Sequence, residues 1–106
     1  MKQKKIKLEY NKRQVTTEKG GTRNEVDVKE FTLQNPGAAW YLEMTDRAKI
    51  EGQGLIISQK FAYEQYLEHV VVDPKMNLSD FDNISGGLEL LNLLIGECES
   101  FLTGRT

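Results

Sequence analysis

Cysteine and histidine are nearly missing from this chain of 106 residues, which has one of each. A lone Cys98 excludes an internal disulfide and suits a reducing compartment. With His69 as the sole imidazole, neither a thiolate cage nor a His-based metal cluster can be assembled. No run approaches the roughly 18 consecutive apolar residues of a membrane span. The basic start, Met1-Lys2-Gln3-Lys4-Lys5, has no apolar stretch behind it of the kind a secretory signal carries. Glycine is present, but Gly52-Gln53-Gly54 has no Lys-Ser/Thr after it, so it reads as a turn between helices and not as a phosphate loop.

Catalytic chemistry is equally thin. Cys98 falls on an apolar helical stripe, where a thiol is ordinarily buried and inert. A Cys98–His69 nucleophile pair has no local motif behind it. Asp80 and Asp82, with Asp73 nearby, are candidate cation ligands, yet the spaced glycine and terminal glutamate of a calcium loop are missing. No set of nucleophile, base and oxyanion donors converges in the sequence. The reading is a non-enzymatic protein with no cofactor and no metal.

Charge is small in total and uneven in placement. The net charge is −2, but residues 1–30 hold nine Lys/Arg against five Asp/Glu, while the remainder is acidic. Glu9, Glu18, Glu25, Asp27 and Glu30 interrupt the basic segment, so nucleic-acid binding through it is a minor alternative. Lysines that keep a strand edge soluble are the plainer reading.

What is there is periodic. Ile6, Leu8 and Tyr10 alternate with charged residues, as do Val26 and Val28, then Phe31 and Leu33, which predicts a long β-hairpin. A turn centred on Gly20-Gly21 pairs Val15 with Val26, Tyr10 with Phe31 and Leu8 with Leu33. That register puts Tyr10, Phe31, Leu8 and Leu33 on one face and Val15, Val26 and Val28 on the other. A bulge near Lys29 is the alternative, and it would return both patches to one face.

Asn35 as N-cap and Pro36 at the first position predict a helix bearing Trp40, Met44 and Ala48, with Tyr41 beside them. A second helix, from Ile56 or Ser58 to about Val70, carries Ala62, Tyr63, Tyr66, Leu67 and Val70. The β-branched run Val70-Val71-Val72 then leads extended into Asp73-Pro74. Residues 77–82 form a loop or short turn that points Leu78 and Phe81 inward.

The closing helix, residues 88–102, is the most apolar part of the chain. Leu88, Leu91, Ile95, Cys98 and Leu102 make a core seam, and Leu90, Leu94 and Phe101 a second stripe beside it. Apolar surface beyond the needs of a small core suggests a partner, and a central helix enclosed by the hairpin and both other helices is the alternative. Leu90, Leu94 and Phe101 are therefore the expected contact surface, with Val15, Val26 and Val28 at the hairpin tip as a second one. The fold class expected is α+β: an N-terminal β-hairpin arm (1–34) followed by about three helices (35–104) in one small, helix-rich domain.

The order "FTLQNPG" at 31–37, "YLEHVVVDPK" at 66–75, "LSDFD" at 78–82, then a glycine pair and a Leu-rich helix ending in "FLTG" resembles the tail assembly chaperones of long-tailed bacteriophages. The resemblance spans about residues 30–104. It implies a protein that works in the host bacterial cytoplasm, binds the tape measure protein and recruits tail tube subunits. It further implies self-association, no membrane partner, and a longer form made by programmed frameshifting near the chain's end. A structural tail or connector subunit is the alternative.

Overall fold

The computed structural model describes residues 2–48 and 58–104. The expected turn at Gly52-Gln53-Gly54, the possible helix start at Ile56 and the last two residues lie outside them. The protein is α+β. Two long strands, β1 (Gln3–Thr16) and β2 (Thr22–Gln34), precede α1 (Ala38–Ala48), α2 (Gln59–His69), a short β3 (Val71–Asp73), α3 (Leu78–Phe81) and α4 (Gly87–Thr103).

The hairpin forms, but its turn lies upstream of the one expected. Thr17 donates its N–H to Gly21 O at 2.8 Å and accepts from Gly20 N–H at 3.0 Å, so the loop is Glu18-Lys19-Gly20. Only Gly20 needs the left-handed conformation, at φ +81°. The Thr17 hydroxyl also bonds Gly21 N–H and O, fixing the closure. Ile6 consequently faces Phe31, Leu8 faces Lys29 and Tyr10 faces Asp27. The expected pairs Val15–Val26, Tyr10–Phe31 and Leu8–Leu33 do not form. At the base the displacement is an even number of residues, so alternation survives there. Ile6, Leu8, Tyr10, Phe31 and Leu33 all point into the core.

A bulge does break the ladder, but in β1 and not near Lys29. Asn11 and Lys12 together oppose Val26, between the pairs Tyr10–Asp27 and Arg13–Glu25. The extra residue returns Val15 to the core-side face, opposite Arg23. Val26 and Val28 remain on the outer face.

The sheet gains a third strand that sequence reading took only as an extended exit. β3 pairs antiparallel with β2, through Thr32–Asp73 and Leu33–Val71. Gln34 N–H donates to Val70 O at 2.8 Å and its side chain to His69 O at 3.0 Å. Val70 and Val71 have no exposed surface, which is why a β-branched run here closes the sheet against the helices.

Helix α1 starts later than Asn35 and Pro36 suggested. Gly37 takes φ +107°, which no helical residue can, and Asn35 caps it from outside by accepting Gly37 N–H at 2.8 Å. The Met44 and Ala48 stripe is buried as expected, and Trp40 packs half-buried against Tyr66 and His69. Ser58 caps α2, accepting from Phe61 N–H. Residues 77–82 contain a true one-turn helix. Asn77 and Asp80 cap each other reciprocally, and Phe81 is driven inward.

Helix α4 is the spine of the core. Leu90, Leu91, Leu94, Ile95 and Cys98 are all buried, so both apolar stripes pack inside. Leu88, placed on the seam by its spacing, is instead 71% exposed. The helix begins at Gly87 because nothing larger fits there: a Cβ would overlap the Phe81 carbonyl.

Candidate interaction surfaces

The expected primary contact surface is dismantled by burial. Leu90 and Leu94 have no exposed area and belong to the core with Phe31, Leu33 and Val71. They cannot meet a partner while the chain is folded. The hairpin base, α2 and α3 absorb a stripe that appeared surplus when α4 was weighed alone. Phe101 is only half-buried at the helix end, beside Leu102. Among the described residues of the helical body, the exposed large apolar side chains are Leu42, Leu88 and Leu93.

The second expected surface survives in part. Along the hairpin, burial ends at Tyr10 on β1 and starts again only at Phe31 on β2. Beyond the Tyr10–Asp27 pair the two strands project past the core as an arm, in a molecule with extents of 58 × 33 × 23 Å. Val26 on the arm and Val28 just below it, opposite Glu9, lie exposed on the outer face of the hairpin, at 38% and 51%. Val15 is half-buried on the opposite, core-side face.

That core-side face carries a charge ladder. Arg13 reaches Glu25 and Asp27, each at 3.3 Å, and Arg23 reaches Glu25 at 2.7 Å. On the outer face, lower down, Lys7 approaches Glu30 at 3.6 Å. Exposed pairs of this kind contribute at most about 1 kcal/mol each, yet they set the arm's local field. Its arginines are already matched by carboxylates, which weighs against a phosphate-binding strip.

Asn11 joins arm and body, and sequence reading missed it. At φ +57° it takes the left-handed conformation that asparagine tolerates best among side-chain-bearing residues. Its N–H donates to Glu89 Oε1 at 2.8 Å, at the start of α4. Its amide nitrogen donates to Asp27 Oδ2 at 2.9 Å and to Ser85 Oγ at 3.4 Å. Arg13 in turn donates to Asn11 O. The Asn11 amide bond, with the Arg13 guanidinium beside it, holds the Asp27 carboxyl below the ordinary carboxylate range. Nothing in a lone Asn-Lys pair announces a bulge, because the partners that fix it come from 16 and 74–78 residues away.

Cys98 is buried, and burial pushes its thiol up to about 12. His69 packs on Trp40, with Nε2 3.8 Å from Glu68. The Asp80 carboxylate accepts Asn77 N–H at 2.8 Å and so is occupied in capping. Among the described residues no group of three or more His, Cys, Asp or Glu is placed to hold a metal ion. No helix among them is long and apolar enough to cross a membrane.

Comparison with protein-family models, with curated proteins and with solved structures found no match.

Proposed function

We propose that this chain is a non-enzymatic assembly chaperone for long bacteriophage tails. In this reading it binds the tape measure protein and recruits the major tail tube protein in the host bacterial cytoplasm, self-associating as it does so. The observation that carries the proposal is the projecting hairpin arm, with Val26 and Val28 on a face that the core does not use. A two-stranded ribbon is marginal in water on its own. Here the Asn11 clamp and the ion-pair ladder hold it extended, so it is presented and not merely tolerated. The motif resemblance over residues 30–104 supports the same reading and supplies the identity of the clients.

The contact surface proposed is Val26 and Val28 on the outer face of the hairpin, with Phe101 at the end of α4 as a second point. Binding through a few exposed apolar side chains is reversible. Each large side chain fully buried contributes about 1.5–3 kcal/mol before ordering costs. Client assembly would then displace the chaperone without nucleotide.

The test is co-expression with the tape measure and major tail tube proteins of the same genome, followed by pull-down and light scattering. Retention of either client, lost in a Val26→Asp/Val28→Asp variant whose melting temperature is unchanged, supports the proposal. A clean monomer that retains neither client and persists in mature particles would assign the chain to a structural tail or connector subunit.

A further inference from the structure

The sheet order is β1-β2-β3, which leaves β1 on an edge for its whole length. Its backbone ladder runs to β2. Among the described residues, the other bonds to β1 backbone groups are Asn35 N–H to Lys2 O just before the strand, Asn11 N–H to Glu89, and Arg13 to Asn11 O. The bulge at Asn11, sealed by Glu89, ends the regular edge. The open stretch is therefore residues 3–10, about 26 Å at ~3.3 Å per residue.

This edge has two chemistries. Lys5, Lys7 and Glu9 stand exposed on its outer face, Lys7 paired with Glu30 of β2 at 3.6 Å, and Lys2 and Lys4 sit at its start, which leaves the edge net basic. On the inner face Ile6, Leu8 and Tyr10 keep 6–8% exposure, whereas Phe31 and Leu33 on the adjacent strand keep 1% or none. The core thus opens slightly toward β1. Where β1 begins, a groove lined by Lys2, Gln3, Lys4, Ser100, Phe101 and Leu102 has a partly apolar floor and a lysine rim.

We infer that the β1 edge receives an extended, acidic segment of a partner protein as an added strand. Main-chain bonds to residues 3–10 would supply register. Carboxylates on the added strand would face Lys5 and Lys7, and its alternate apolar side chains would cover the rim at Ile6 and Leu8. A second copy of β1 fits less well, because Lys2, Lys4, Lys5 and Lys7 outnumber Glu9 along each edge, so pairing two copies brings together surfaces of the same net charge. The lysines that protect the edge from self-pairing also select its partner. This inference does not depend on the tail-chaperone reading, which rests on the other strand of the arm.

The probe is a capped peptide of roughly ten residues alternating glutamate and valine, titrated into the full chain with amide exchange followed residue by residue. The expected result is new protection of amides within residues 3–10. Binding should weaken at least about tenfold in Lys5→Glu/Lys7→Glu, and weaken with added salt in the wild type. A lysine–valine peptide should not bind. The inference is overturned by absence of binding, by equal binding of the lysine peptide, or by protection confined to β2 or α4. It is also overturned if edge protection appears without peptide and grows with protein concentration, which would make a second copy the occupant. The salt and peptide-charge comparisons use the unaltered chain, so they stand even if the double variant is perturbed.

Discussion

Leu94 separates a core residue from a contact residue in one measurement. It lies at the middle of α4 with no exposed surface, enclosed by the same cluster as Phe31, Leu33 and Val71. Leu94→Ala removes about three methyl or methylene groups at ~0.8 kcal/mol each, and the cavity left behind adds to that. The expected loss is about 3–4 kcal/mol. That is a large part of the ~5–15 kcal/mol by which a domain of this size is stable. The melting temperature should fall by roughly 12–30 °C, taking ~4–8 °C per kcal/mol. Urea unfolding followed by far-UV circular dichroism gives the free energy, with m unchanged if the native state is otherwise intact. Leu93→Ala, one residue away and 39% exposed, should lose less than half as much. The argument fails if Leu94→Ala melts within a few degrees of wild type. It fails more sharply if such a stable variant loses a client, since that would make Leu94 a contact residue after all.

The other predictions address the joints of the fold. Gly87→Ala should destabilise by more than ~2 kcal/mol in the same urea assay, because the new methyl meets the Phe81 backbone and not a side chain that can swing away. Asp27 has a folded pKa below its unfolded one. Its contribution is present above the unfolded value near 3.8 and is lost as pH falls through the folded value. Asp27→Asn should therefore flatten the acid limb of the stability–pH curve below about pH 4, read from thermal melts. Cys98 should resist a thiol-labelling reagent at pH 8 in the folded chain and react fully in denaturant, since burial holds the thiolate off until about 12. Rapid labelling of the folded protein would show that α4 opens.

Local pattern made several features legible. Alternation in β1 and β2 identified the core face even though the register was displaced, because side-chain direction depends only on parity. Helical spacing found the buried stripes of α1 and α2, and Ser58 was among the two starts proposed for α2. The Asn77–Asp80 box was also within reach, as an Asn followed three residues later by an Asp.

Other features were decided in three dimensions. The turn moved because a single left-handed glycine, reinforced by the Thr17 hydroxyl, closes the loop where two glycines were expected to share the task. Val15 changed face because the Asn11 bulge adds a residue, and the groups that hold it come from α4 and its approach. Leu90 and Leu94 looked like a spare stripe because a helix sequence shows its own apolar width but not how many neighbours surround it. The base of a hairpin and the helices α2 and α3 supplied those neighbours. The sequence by itself determined which residues alternate and which recur at helical spacing. Only the tertiary structure decided which apolar surface remained exposed, because exposure belongs to the whole packing arrangement and not to any one element.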